Sequence, residues 1–256
     1  MSLLALDNVT QRFGGLTAVD SVSLKIEAGR VSAIIGPNGA GKTTLFNIIS
    51  GFLIPTQGQV SFNGRNITGM PAHHVAGLGL VRTFQLVQLF ADMSVQDNVR
   101  TGRHLRTRGG VWSAMARPAW VKRQDEESNT KACSLLDLVG LAEHATTLAG
   151  ALPYGRQRLL EIARAMAAEP RLLLLDEPAA GLNPAETENL ANVVRRIVER
   201  GTTVLVIEHD MHFVMRLAET IFVLDFGKKI AEGTPALVQR SEAVLAAYLG
   251  GTETAV

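Results

Sequence analysis

Between Ser21 and Ile26 polar and apolar residues alternate: Val22, Leu24 and Ile26 take one side, Ser21, Ser23 and Lys25 the other. A period of two predicts a half-buried strand, closed here by a turn at Ala28-Gly29. Elsewhere the apolar runs are short and unbroken: VSAIIG (31–36), LLLLD (172–176), TVLVIEH (203–209) and TIFVLDFG (220–227). A run with no polar side predicts a strand covered on both faces. Helical stretches separate these runs, so the pattern predicts an α/β sheet. Residues 86–150 break the rhythm. Strand patterns give way to helical ones such as SLLDLVGL (134–141), which predicts an inserted helical subdomain. The chain shows no internal repeat, long heptad run or low-complexity tract.

Composition narrows the class. The 256 residues, 46% of them hydrophobic, suffice for one large α/β domain or a core domain carrying a subdomain, and argue against disorder. A net charge of +1 supplies no general attraction to nucleic acid or membrane, although a local cluster still matters. The single cysteine, Cys133, precludes an intramolecular disulfide, fits a reducing compartment, and is expected to be a small core hydrophobe. The opening MSLLALDNVTQRF lacks the basic start and long apolar centre of a signal peptide. The greasiest runs fall far short of the about 20 apolar residues that a membrane-spanning helix needs.

Candidate chemistry begins at GPNGAGKTT (36–44), which fits G-x-x-x-x-G-K-T between a buried strand and the helical LFNIIS. Triphosphate oxygens need closely spaced backbone N–H donors. Gly36, Gly39 and Gly41 let the chain curl without side chains in the way, and the following helix turns its positive end to the anion. Lys42 adds a cation at the β/γ phosphates, and the Thr43 hydroxyl is placed for Mg²⁺. RLLLLDEP (171–178) supplies the other half: Asp176 as a Mg²⁺ carboxylate and Glu177 as a carboxylate that orients the attacking water. His209 ends the next buried strand, on the sheet edge where ligands bind, and is a candidate for the γ-phosphate or the water. Gln85, in RTFQ, is a candidate neutral ligand for Mg²⁺ or water.

With LPYGRQ (152–157), the AGLN after the carboxylates, and EHD, these stretches stand in the order found in ATP-binding-cassette ATPases. The resemblance covers essentially the whole chain. More narrowly, the chain looks like the ATPase subunit of branched-chain amino acid importers, on RTFQ, YGRQRLLEIARA, DEPAAGLNPAET, IEHDMHFVM, EGTP and the closing AAYLG. The resemblance implies an α/β P-loop NTPase fold of the ABC type: a RecA-like core sheet, an N-terminal antiparallel β subdomain and an inserted helical subdomain. The corresponding division is 1–85, 86–165 and 166–256. It implies ATP and Mg²⁺ as ligands. Gly36, Asn38, Gly39, Ala40, Gly41, Lys42, Thr43 and Thr44 are expected to hold the nucleotide, and Phe13 to stack on adenine. Thr43, Gln85 and Asp176 are expected to manage Mg²⁺, while Glu177, His209 and Gln85 serve hydrolysis.

In that family the loop aligned with 152–157, usually Leu-Ser-Gly-Gly-Gln, caps the γ-phosphate held by a second ATPase subunit, and the helix after it adds its positive end. Tyr154, Gly155 and Arg156 are therefore expected to contact ATP across a dimer. Pro153 stands where the family usually has serine, Tyr154 replaces a glycine and Arg156 a glutamine. Asn183 stands where aspartate is usual. Arg158 and Arg164 are expected on a solvated helix face.

The resemblance also implies partners: a second ATPase subunit, identical or paralogous, transmembrane permease subunits, and indirectly a substrate-binding protein. It places the chain peripherally on the cytoplasmic face of the inner or plasma membrane. Arg100, Arg103, Arg106, Arg108, Arg117, Lys122 and Arg123 lie in a stretch with no acidic residue, together with Trp112 and Trp120. Such a stretch suits anionic headgroups beside a transmembrane partner. Its aromatics are not interleaved with the charges as in nucleic-acid readout, and no nucleic-acid partner is expected. Importers of urea, amides or aromatic acids are alternatives, as are an export cassette and a soluble mechanical ATPase. The last is disfavoured because the insert is too short for a long coiled coil and only one cassette is present.

Overall fold

The computed structural model describes residues 2–106 and 118–249. Two compact units divide the chain. One takes the chain up to Arg82, then Arg171–Ala180 and the segment from Ile197 onward; the other takes Thr83–Pro170 and Gly181–Arg196.

The first unit carries both sheets. Strands β1 (Ser2–Phe13), β2 (Leu16–Glu27), β3 (Val31–Ile35), β4 (Gln57–Phe62), β5 (Arg65–Asn66) and β6 (Leu80–Arg82) come first in the chain. Strands β7 (Leu172–Asp176), β8 (Thr203–Ile207), β9 (Thr220–Asp225) and β10 (Lys228–Gly233) follow. A four-stranded antiparallel sheet runs β2-β1-β4-β5, and a six-stranded sheet runs β10-β9-β3-β8-β7-β6. In the second sheet all neighbours from β9 to β6 are parallel, and only β10 is antiparallel.

The polarity pattern explains these roles. Val22, Leu24 and Ile26 of β2 are buried while Ser21 and Lys25 are exposed, as their alternation requires. Every residue of β3, β7 and β8 is buried. Ile34 faces a core shared with Leu4, Val9, Phe46, Leu174 and Phe222, whereas Ala33 and Ile35 face one with Val214, Val223 and Val238. Each aliphatic side chain so buried contributes about 1.5–3 kcal/mol relative to exposure.

Register then positions chemistry. Ile34 of β3 pairs with Ile207 of β8, and Ile207 with Asp176 of β7. The three strands therefore end level, with the loops after them on one sheet edge.

The second unit is helical among its described residues, with Val95–Thr101, Ala119–Val139 and Tyr154–Met166 as its helices and the start of Pro184–Glu199 added. The SLLDLVGL pattern lies on the helix Ala119–Val139, which ends at Gly140 in the left-handed region. Cys133, expected in the core, is exposed on that helix. Cys133 lies about 100° around the helix from its neighbour Ala132, off the face that Ala132, Leu135 and Leu136 bury. No helix among the described residues is long and apolar enough to cross a membrane.

Candidate active site

The glycine-rich loop leaves β3 directly. Gly36, Gly39 and Gly41 all have positive φ, at 153°, 81° and 95°. Space is as restrictive as conformation at two of them: a Cβ on Gly36 would collide with the Leu224 carbonyl oxygen, and one on Gly41 with that of Ala18. The loop is braced from behind by Gly227, whose N–H donates to Ala40 at 3.1 Å and whose carbonyl accepts from Asp20 at 2.8 Å. The result is a tightly curled, glycine-rich backbone, the kind of shape a phosphate cradle requires. Asn38 and Thr43 are exposed, Ala40 is buried, and Thr44 is half-buried.

Lys42 opens the helix Lys42–Ile49 and folds back into the loop. Its Nζ donates to the carbonyls of Gly36 at 2.7 Å and Pro37 at 2.8 Å. Burial lowers its pKa, and the Glu177 carboxylate opposes that shift. The ammonium thus holds the loop curled while standing near the charge expected to act on water.

Across the sheet edge, Asp176 is buried and paired with Arg82 of β6, Oδ2 to Nη2 at 2.7 Å. Arg82 also donates to Asn47 Oδ1 at 2.7 Å and Ser50 Oγ at 3.1 Å, and lies over the Phe46 ring at 5.6 Å. Arg82 was not singled out by sequence, although it sits three residues before Gln85. Glu177 follows with φ 44°, a conformation costly for a side-chain-bearing residue and concentrated at functional sites. Its N–H is tied to the Ile207 carbonyl at 3.0 Å. His209 Nδ1 stands 3.7 Å from Glu177 Oε2 and 3.7 Å from Glu208 Oε2, with its side chain 58% exposed. Glu208 is fully buried and accepts from the N–H groups of Ala179 at 2.8 Å, His209 at 3.1 Å and Asp210 at 3.4 Å. Burial raises its pKa, opposed by those same N–H groups and by His209. It lay unremarked inside VIEHD; a carboxylate closing an apolar run was the available signal.

The first unit therefore gathers Lys42, Asp176, Glu177 and His209, with Phe13 half-exposed at 49% rather than packed in the core. A hydroxyl and a carboxylate, Thr43 and Asp176, are hard oxygen donors of the kind Mg²⁺ takes in small number, because phosphates and water complete its shell.

Gln85, Tyr154, Gly155 and Arg156 belong to the second unit. The helix Tyr154–Met166 starts after Pro153, which cannot cap it with a side chain. Its first internal bond runs from Gln157 N–H to the Pro153 carbonyl at 3.0 Å, so the N–H groups of Tyr154, Gly155 and Arg156 precede the ladder. Gly155 lies against the Glu186 carboxylate, which would have to move if a Cβ were added there. Arg156 donates to His144 Nε2 at 2.6 Å. Arg158 is not on a solvated face: it is 1% exposed, the largest fully buried side chain among the described residues, because its guanidinium finds backbone carbonyls and Glu161 inside the unit. Arg164 is half-buried over the Phe90 ring at 5.9 Å.

The basic stretch also turns partly inward. Arg100 pairs with Asp97 at 3.0 Å, Arg103 with Glu169 at 3.3 Å, and Arg106 donates to the Ala168 carbonyl at 2.8 Å. Lys122, Arg123 and Trp120 are exposed, while Arg108, Trp112 and Arg117 lie outside the described residues.

Comparisons with known proteins agree with this geometry. A family model described as "ABC transporter" matches residues 19–180, and one described as "Branched-chain amino acid ATP-binding cassette transporter" matches residues 228–254. The chain is 43% identical, over 97% of its length and 98% of the relative's, to the high-affinity branched-chain amino acid transport ATP-binding protein LivG of Salmonella typhimurium. It is 44% identical, with the same coverage, to BraF of Pseudomonas aeruginosa, a protein of the same description. Among solved structures it resembles the ADP conformation of MJ1267, an ATP-binding cassette of an ABC transporter, with TM-score 0.85 and 32% identity over 98% of this chain and 99% of that one. A dimeric bacterial ABC transporter cassette, MJ0796, gives TM-score 0.75 and 27% identity over 91% and 98%. The phosphate cradle, the carboxylates beside it and the matched sequence lead to one assignment: the chain belongs to the ABC transporter family of ATP-binding cassettes.

Proposed function

We propose that this chain is the ATP-hydrolysing subunit of an importer for branched-chain amino acids, working with a second ATPase subunit on transmembrane permease subunits. The observation that carries the reading is the convergence of Lys42, Asp176, Glu177 and His209 at a curled glycine-rich loop. The cargo class follows the relatives' descriptions and the match at residues 228–254. A peripheral position at the membrane's cytoplasmic face follows from the permease partners.

ATP enters as substrate. Backbone N–H groups of the 36–44 loop and the Lys42 ammonium hold its phosphates, and the half-exposed Phe13 ring offers a face to the adenine, worth about 1–3 kcal/mol in comparable base stacking. Thr43 and Asp176 would hold Mg²⁺, which would supply charge neutralisation at the phosphates. Glu177 accepts a hydrogen bond from the attacking water and aligns it with the γ-phosphorus; its strained backbone and the neighbouring His209 restrict where the carboxylate points. His209 donates toward the γ-phosphate, and the proton released from water passes to phosphate or solvent. The N–H groups of Tyr154, Gly155 and Arg156 face the γ-phosphate held by the opposing subunit. Hydrolysis removes that shared anion, and the pair opens.

Two substitutions test the reading. Glu177→Gln keeps the side chain's shape but removes its charge, and is expected to lower ATP turnover by about 10²-fold or more while trapping an ATP-bound dimer on size exclusion. Lys42→Ala is expected to weaken nucleotide binding in fluorescence titration. Normal turnover by Glu177→Gln would remove Glu177 from its role.

A further inference from the structure

We propose that Arg158 is a positioning residue that binds the Gln85 loop to the Tyr154–Arg156 loop, so that the two keep one fixed relation when the latter closes on ATP. The proposal rests on the reading of Tyr154–Arg156 as the edge presented to a second subunit's ATP. Every contact it uses lies within the second unit.

The guanidinium makes a two-pronged bond to consecutive peptides. Nη1 donates to the Phe84 carbonyl at 2.8 Å and Nη2 to the Gln85 carbonyl at 2.7 Å. A planar fork reaches two carbonyls, the Tyr154 hydroxyl and a carboxylate from two nitrogens held in fixed geometry, which a lysine's single nitrogen does not reproduce. Glu161, one turn on and 2% exposed, takes a third bond from Nη1 at 3.1 Å. Burial drives the Glu161 pKa up, and Arg158 counters it, so the charges depend on each other for burial. On its other side Nη2 reaches the Tyr154 hydroxyl at 3.4 Å, and the guanidinium carbon stands 5.9 Å from the Tyr154 ring centroid. Tyr154 is the residue that replaces the family's usual glycine.

The network continues past Tyr154. Its ring fills the space over Gly181, where a Cβ would come within 3.2 Å of it. Gly155 abuts Glu186, and Glu186 exchanges two hydrogen bonds with Asn183, each at 3.0 Å. Arg158 is thus the node between the Gln85 peptide and a packed set of loops at 154–156 and 181–186. A buried ion pair is a costly way to stabilise a helix that apolar residues would stabilise as well. Its geometry is suited to fixing one loop against another.

The test uses the full chain carrying Glu177→Gln, alone and with its partner ATPase subunit. Two further variants are compared with this parent: Arg158→Lys, which keeps the charge beside Glu161 but loses the fork, and the double substitution Arg158→Met with Glu161→Gln, which leaves no orphaned buried charge. Three quantities are read: Kd for ATP under dilution, the protein concentration at which ATP half-drives pairing, and Tm. The expected result is an unchanged Kd with the pairing midpoint raised about tenfold, as loss of charge-assisted bonds at the closing edge implies. A purely structural role would instead lower Tm and weaken ATP binding and pairing together, which overturns the proposal. Pairing of both variants at the parent's midpoint overturns it as well. If the parent itself fails to pair with ATP, the two-subunit reading falls and takes this proposal with it.

Discussion

Glu208 shows what a single residue contributes to such a site. Fully buried between the carboxylate loop and His209, it holds three backbone N–H groups in place, one from the first segment and two from the second. Burial raises its pKa above the ordinary carboxylate value, so the folded chain binds its proton more readily than the unfolded chain does. The stability it contributes is complete below the unfolded value and is lost as pH rises through the folded one. Glu208→Gln has no such titration. Urea midpoints measured from acid to neutral pH are expected to shift in the variant's favour as pH climbs through that window; parallel profiles would contradict this. Asp176 is a buried carboxylate held in place by Arg82 at 2.7 Å. Lys42, Asp176, Glu177 and His209 could be named from sequence because their spacing from apolar runs is a chemical pattern. Arg82, Glu208 and Arg158 could not, since only packing shows which charged residues the interior has enclosed.

Among the elements, the helix Pro184–Glu199 begins with a reciprocal cap. The Asn183 side-chain oxygen accepts from Glu186 N–H, and the Glu186 carboxylate accepts from Asn183 N–H, with proline in the first turn. Asparagine at 183, where aspartate is usual, therefore retains the capping function. Asn183→Ala is expected to cost about 0.5–2 kcal/mol in denaturant unfolding, whereas Asn183→Asp should cost little, being about as good a cap. The helix Tyr154–Met166 starts without a side-chain cap, as the anion contact proposed for its first N–H groups requires. Strands β2, β3, β7, β8 and β9 were legible because their polarity follows the sheet's own geometry. β1 was not. Register shifts around Leu6–Val9 and a positive φ at Asn8 interrupt its period of two, so no simple alternation marks it.

For the whole molecule, the candidate site residues are divided: the glycine-rich loop, Asp176 and Glu177 belong to one unit, Gln85 and the Tyr154–Arg156 loop to the other. If a loop of one subunit acts on the ATP of another, turnover per subunit must rise with protein concentration. ATPase assays of the unsubstituted chain over a dilution series are expected to show this, and a specific activity independent of concentration would contradict it. Sequence by itself determined the covered strands of the α/β sheet, the glycine-rich loop and the order of the candidate site segments. Each depends on local rules: unbroken apolar runs make covered strands, glycine permits positive φ, and a helix start attracts anions. Tertiary structure alone decided that β3, β7 and β8 end level, that Arg82 holds Asp176, that Arg158 is buried and that Cys133 is exposed. Those outcomes depend on which distant segments meet, and a residue's polarity carries no record of the neighbour that will satisfy it.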